Sequence, residues 1–441
     1  MTAQFGPWVE RLEAIAVGRE RIAVAGRRDA AGTTASRVHV VPTAILDGKA
    51  AGWSLDPGGA GGAICALGFA GDELLISGGE DGRLIAWDIT GRRRVAELAL
   101  GAPVRALALD EGAARGDAGA IAAGTADGAL HVVALAIRDA APVLGPAVRR
   151  ALSDGAIGAV AWDPAGLWLA GAADGQLWVV GEGQRAVSPG GDGGIRAVVS
   201  LGDGRAAIGC GDGSLRLCFV VGDVEATDRS GDHGHQAAVR GLALAPVSVD
   251  DAGREQPRRL FSVGEDGALK LWLVDGNRRP RTIELGIGPA SAVGFAPGPV
   301  TRPGAPGTVI DRALGRLWIA STRRQVAALA LGGDAEPVGE PIAIGSALDA
   351  LEAQLRDPRA AVKVKLEAVA ALAGIAEDEA RALLAARAVR RCAPRLAPSR
   401  PSCAPRRSSR CASSRAISRS PRCAPGSRPG TRTSGCARSS R

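Results

Sequence analysis

Between Leu12 and Leu331 the chain alternates short apolar runs with polar, glycine-bearing punctuation. Runs such as Ile64-Cys65-Ala66-Leu67, Val104-Arg105-Ala106-Leu107-Ala108-Leu109, Ile157-Gly158-Ala159-Val160-Ala161-Trp162, Ile195-Arg196-Ala197-Val198-Val199 and Val239-Arg240-Gly241-Leu242-Ala243-Leu244 are too short for buried helices and are bounded by turn residues, so they predict strands. Each is followed by a variable loop, a second apolar run, a Gly-x-x-Asp-Gly turn and a third run. The turns are Gly78-Gly79-Glu80-Asp81-Gly82, Gly124-Thr125-Ala126-Asp127-Gly128, Gly171-Ala172-Ala173-Asp174-Gly175, Gly209-Cys210-Gly211-Asp212-Gly213 and, with Val263 in the first slot, Asp266-Gly267. Gly supplies the positive φ that a tight hairpin needs, and Asp bonds to nearby backbone. The turn aspartates lie 46, 47, 38 and 54 residues apart, a spacing that fits one strand-rich unit repeated along the chain.

The fullest unit runs from Gly234 to Trp272. Leu260-Phe261-Ser262-Val263 and Leu269-Lys270-Leu271-Trp272 flank its Asp266-Gly267 turn. It resembles a blade of the WD40 repeat family, with His235, Ser262, Asp266 and Trp272 standing where that family has a buried structural tetrad. Ser77, Asp81 and Trp87 form a partial tetrad, since Gly61, Gly62 and Ala63 supply no His. Asp127, Asp174 and Asp212 keep the turn, while Val133, Val180 and Cys218 replace the Trp.

Two weaker units flank these five. The first, Leu12 to Val41, holds Arg21-Ile22-Ala23-Val24-Ala25 and Arg37-Val38-His39-Val40-Val41; the last, Ala292 to Leu331, holds Leu317-Trp318-Ile319-Ala320-Ser321 and Gln325-Val326-Ala327-Ala328-Leu329. The resemblance therefore implies an all-β, seven-bladed WD40-like propeller over residues 1–345, whose closure removes exposed sheet edges. The insertions Val247–Arg259 and Gly298–Arg312 fall between first and second strands and are rich in Pro, Gly, Asp and Arg, so they read as surface loops.

After Ile344 the period changes. Leu348, Leu351 and Leu355 form a helical stripe behind Ser346, a candidate N-cap, and Asp357-Pro358 separates it from a second helix. Val364-Lys365-Leu366-Glu367-Ala368-Val369-Ala370-Ala371-Leu372 then resembles the second helix of a HEAT-type repeat, with Lys365 in place of the usual Arg. Residues 346–389 are expected to open a short α-helical, HEAT-like array. From Arg390 onward no acid, Lys, Val, Phe or Trp occurs. Such a segment cannot build a core, and 390–441 is expected to be a disordered Arg/Ser/Pro-rich tail. Its composition and its interruption of a helical array favour out-of-frame translation of a GC-rich region over a genuine basic arm.

Charge follows the same division. The formal net charge is +8, yet residues 1–379 hold all 46 acidic residues and only 38 of the 54 basic ones, a net of −8. Nucleic-acid binding is thus an expectation only if the tail is genuine. Cys65, Cys210 and Cys218 are scattered through the body, and five of the eight cysteines lie in the tail, which predicts reduced thiols and no disulfide framework. With no secretory signal at Met1 and no apolar stretch of membrane-spanning length, a cytoplasmic protein without membrane association is expected.

Candidate chemistry does not change the picture. Ser262, His235 and Asp266 could pose as a hydrolytic triad, but a blade would bury the hydroxyl inside a sheet. Cys210, Cys218, His233 and His235 match no zinc spacing, and His39 and His131 read as satisfied strand histidines. The Gly58-Gly59-Ala60-Gly61-Gly62 run lacks a phosphate-loop ending and reads as a loop between blades. Arg92, Arg93 and Arg94 read as a solvated rim. Leu84-Ile85-Ala86-Trp87-Asp88-Ile89-Thr90-Gly91 also resembles a blade ending of quinone-dependent propeller dehydrogenases, a usually secreted family whose blades carry a recurring Trp docking motif; here the Asp-x-x-Thr-Gly ending occurs once. The expectation is a non-catalytic interaction scaffold for other proteins, with no catalytic residues, cofactor or metal; the alternatives are a quinone-dependent oxidoreductase and a nucleic-acid binder acting through the tail.

Overall fold

A computed structural model describes residues 4–5, 11–27, 36–47, 52–58, 62–138, 141–221, 226–247, 254–276, 279–298 and 314–346. The expected HEAT-like helices lie outside the described residues apart from Ser346, the last residue of the strand Pro337–Ser346, and the tail lies wholly outside them.

The described residues form seven antiparallel sheets of four strands each, one of them extended by a fifth strand. The innermost strands, in order, are Arg11–Val17, Ile64–Ala70, Val104–Leu109, Ile157–Asp163, Ile195–Ser200, Val239–Leu244 and Ala290–Pro297. We call the sheets they open blades 1 to 7. Within each blade the next three strands pair outward in chain order. Each innermost strand packs against that of the following blade, and Ala290–Pro297 packs against Arg11–Val17, so the ring is closed.

The packing explains why the strand sequences are apolar on both faces. Seven hydrophobic clusters occur among the described residues, one for each interface between neighbouring blades. In the second strand of blade 2, Leu75 faces the cluster shared with blade 1, while Leu74 and Ile76 face the one shared with blade 3. A strand buried on both sides gains from apolar residues at every position, which is why alternation is weak in the second strands. Outermost strands such as Arg93–Ala99 are largely exposed and carry the charges.

The degenerate blades complete the ring by strand pairing and apolar packing. Blade 1 pairs Arg11–Val17, Arg21–Arg27, Val38–Pro42 and Trp53–Leu55, and blade 7 pairs Ala290–Pro297, Gly315–Ser321, Gln325–Leu331 and Pro337–Ser346. Gln4–Phe5 adds a fifth strand to blade 7, running parallel to Pro337–Ser346. Two residues carry too little pattern to announce such a strand.

Candidate functional site

The turns between second and third strands and the loops entering each blade lie at one end of the ring. Gly267 adopts φ +80°, and a Cβ there would come within 3.1 Å of the Gly288 carbonyl oxygen of the next loop. At Gly128 the equivalent Cβ would collide with the Ser153 carbonyl. Glycine is thus required both by the turn and by the neighbouring chain.

The Gly234–Trp272 unit brings its four named side chains into one connected line. Trp272 Nε1–H donates to Ser262 Oγ at 2.8 Å, Ser262 Oγ lies 2.8 Å from His235 Nε2, and His235 Nδ1 lies 2.9 Å from Asp266 Oδ1. Burial pushes the His235 imidazole below its ordinary pKa, against the pull of Asp266. The neutral ring therefore carries its proton on Nδ1, donates to Asp266, and accepts the Ser262 hydroxyl on Nε2. Asp266 also accepts the Gln236 and Ala268 amides at 3.0 and 3.1 Å. Burial alone would raise its pKa, but His235 and these amides hold it below the usual carboxylate range. Every polar atom of the line is matched, which suits a structural staple. Ser262 is fully buried and its hydroxyl is engaged on both sides, so this trio has no route to a substrate.

The other blades hold parts of the same design. In blade 2, Trp87 Nε1–H donates to Ser77 Oγ at 2.8 Å, but Asp81 accepts from the Arg83 side chain at 2.6 Å and the Arg83 amide at 3.1 Å instead of from a His. In blade 4 the position of His235 is taken by Ser153, whose hydroxyl donates to Asp174 at 2.6 Å. In blade 5 Asp212 accepts the Asp192 amide at 2.9 Å, and in blade 3 Asp127 accepts from Thr125 Oγ1 at 2.6 Å and Arg149 at 2.9 Å. In blades 4, 5 and 6 the turn aspartate joins the turn to the loop entering its own blade. Ser153 was not legible from the repeat, because a hydroxyl in a variable loop resembles any other loop serine.

Several further residues fall differently. His39 is buried with Nδ1 2.8 Å from Ser54 Oγ. His131 corrects the expectation of a satisfied strand histidine: it is buried on the third strand of blade 3, but its Nε2 has no hydrogen-bond partner among the described residues. It shares a strand face with Val133 and Leu135 of the apolar interface to blade 2, and burial lowers its pKa. Cys210 and Cys218 lie in the apolar cluster between blades 4 and 5, and burial raises both thiols, Cys218 to about 12. His235 is committed to its own blade. In the glycine run, Gly58 N–H donates to Asp56 Oδ1 at 2.9 Å, while residues 59–61 lie outside the described residues. The three-arginine rim is engaged: Arg92 stacks 4.6 Å from the Trp53 ring, Arg93 pairs with Asp88 and Arg94 with Glu97. The Asp-x-x-Thr-Gly sequence forms a turn in which Gly91 N–H donates to Asp88 Oδ1 at 2.7 Å.

The central channel was not foreseen as a site. In every innermost strand the register slips by one residue near its start, and the slipped positions are Glu13, Cys65, Arg105, Gly158, Arg196, Arg240 and Ser291. A bulge re-aims the side chain it carries, and these seven residues all line one cavity of about 580 Å³. Charge around it is uneven. On the side of blades 1 to 3, Glu80 accepts from Arg27 and, at 3.1 Å, from Arg105, and Arg27 lies 3.6 Å from Glu13. Burial would raise Glu80, but the Ala63 amide and the two arginines lower it. Cys65 sits inside this group, and burial together with Glu13 pushes its thiol up to about 11. On the other side Arg240 pairs with Glu265 at 2.7 Å, whereas Arg196 donates to the Gly193 carbonyl at 3.1 Å and meets no carboxylate among the described residues.

Two crystal structures of Sqt1 from Chaetomium thermophilum match with a TM-score of 0.54 and 18% identity, over 77% and 78% of this chain and 87% and 89% of theirs. The WD40 β-propeller domain of Doa1 matches with a TM-score of 0.50 and 16% identity, over 74% of this chain and 95% of that one. The chain has the WD40-type propeller fold. No protein-family profile and no curated protein matches its sequence.

Proposed function

We propose that this WD40-type propeller is a non-catalytic scaffold that binds partner proteins at the channel end of the ring. The observation that carries this reading is the ring of bulged side chains around the cavity, because a rigid closed frame holds seven separately variable positions toward one mouth. Solved propellers of the same fold class support it at the level of fold. Asp266 is engaged in the blade-6 staple and Glu80 in ion pairs with Arg27 and Arg105. The proposed place of action is the cytoplasm, where free thiols such as Cys65, Cys210 and Cys218 stay reduced.

Photo-reactive amino acids placed at Gln236, in a loop at the channel end, and at Phe219, at the far end of a strand leaving that loop cluster, test this in the producing cells. The expected result is a reproducible set of stoichiometric adducts from position 236 and few from 219. Absence of adducts from position 236, or visible quinone absorbance with substrate turnover in the purified full chain, would overturn the reading.

A further inference from the structure

The channel mouth is neutralised on one side and open on the other, and that asymmetry bears on what it binds. Glu13, Arg27, Glu80 and Arg105 satisfy one another around Cys65. Blade 4 contributes the least side-chain volume of any blade: Gly158 at the bulge, and Ala173 where blades 2 and 6 have Glu80 and Glu265. A Cβ on Gly158 would meet nothing nearer than the Ile195 carbonyl oxygen at 3.8 Å, so there is room beside the strand that carries Arg196. Arg196 is exposed, and of its five guanidinium and Nε donors the described residues engage one, through the Gly193 carbonyl. Elsewhere in the same cavity the Ser291 hydroxyl is buried with no hydrogen-bond partner among the described residues, a polar group open to a ligand.

We propose that this notch recognises an acidic segment of a partner protein, with an Asp or Glu carboxylate seated against Arg196 and the segment crossing the mouth toward Ser291. The inference rests on the scaffold reading and specifies its chemistry. A guanidinium in a partly enclosed mouth offers a carboxylate two parallel, charge-assisted hydrogen bonds, and screening there is weaker than on open surface. Arg105 and Arg240 do not compete for that carboxylate, because Arg105 already pairs with Glu80 and Arg240 with Glu265.

The test uses the full chain and two Gly/Ser peptides carrying a benzophenone beside either a Glu-Glu or a Lys-Lys pair. Adducts are mapped by mass spectrometry, so attachment to the arginine-rich tail is counted separately from attachment to the mouth. The Glu probe is expected to label the segments around Ala156, Gly158 and Ala173, to fall roughly tenfold in Arg196→Gln, and to stay within about twofold in Arg105→Gln. Arg196→Glu is expected to transfer that labelling to the Lys probe. Arg196 is exposed and its hydrogen bond is to the nearby Gly193 carbonyl, so both variants should melt close to the wild type. Absence of Glu-probe adducts at the mouth, or adducts unchanged by Arg196→Gln, overturns the inference. Wild-type mouth labelling by the Lys probe alone also overturns it while leaving the scaffold reading standing, which the cellular cross-linking from Gln236 tests independently.

Discussion

Blades 6 and 2 share a serine–tryptophan hydrogen bond of 2.8 Å and a turn aspartate at the same position, yet they use the aspartate differently. In blade 6 Asp266 closes a line that begins at Trp272 and passes through Ser262 and His235. In blade 2 the line stops at Ser77, and Asp81 turns to Arg83, which also reaches Glu97 at 3.1 Å. The difference teaches that the turn and the buried indole are common to these two blades, while the histidine link is an addition in blade 6. Both aspartates still accept the amide two residues on, from Ala268 and Arg83. That local bond persists in blades whose wider network has gone.

The largest effects should be shared by the two blades. Trp272→Ala and Trp87→Ala are each expected to destabilise the protein by about 3–5 kcal/mol in urea unfolding, since both indoles are almost fully buried at blade interfaces. A clearly smaller loss for Trp87 would mean that the partial tetrad is not an equal anchor. The next effect separates the blades. Asp266→Ala should cost about 1–3 kcal/mol because it strands the buried His235 donor, whereas Asp81→Ala should cost about 1 kcal/mol or less, because it breaks a partly exposed ion pair and one turn bond. Equal losses would erase the distinction.

A pH series sharpens the comparison further. His235 and His131 both have folded pKa values lowered by burial, so the unfolded chain takes up protons first. Their contribution is complete above the ordinary histidine value of about 6.5 and is lost as pH falls through it toward the lower folded values. His235 faces Asp266 and Lys270, and His131 faces Asp127 and Arg149. Melting temperature should therefore drop between neutral and mildly acidic pH, and His235→Gln should flatten part of that drop, with His131 responsible for the remainder. A drop unchanged by the substitution would contradict the neutral assignment of His235. The smallest effect should come from Arg149→Ala, which loosens only an exposed contact to Asp127 and is expected to cost about 0.5 kcal/mol or less.

The repeated turns and the seven-blade count were legible because Gly and Asp at a turn are dictated locally: Gly267 needs its positive φ whatever surrounds it. The members of the blade-6 line were legible for a related reason, as Trp, His, Ser and Asp at fixed spacing resemble a known pattern. What escaped depends on long-range packing. Ser153 stands in for a histidine only because its loop returns to Asp174, and His131 Nε2 has no hydrogen-bond partner among the described residues, its strand face meeting the apolar side of blade 2. The channel ring escaped for a third reason. A bulge leaves no mark in an apolar strand, so Arg196 and Gly158 read as ordinary strand residues until the register was known.

The most direct measurement is a pair of double-mutant cycles by urea unfolding, Trp272→Phe with Asp266→Asn in blade 6 and Trp87→Phe with Asp81→Asn in blade 2. If the blade-6 side chains form one connected unit and those of blade 2 do not, the first pair couples by about 0.5–3 kcal/mol and the second is additive within about 0.5 kcal/mol. Additivity in blade 6, or equal coupling in both blades, would contradict the account.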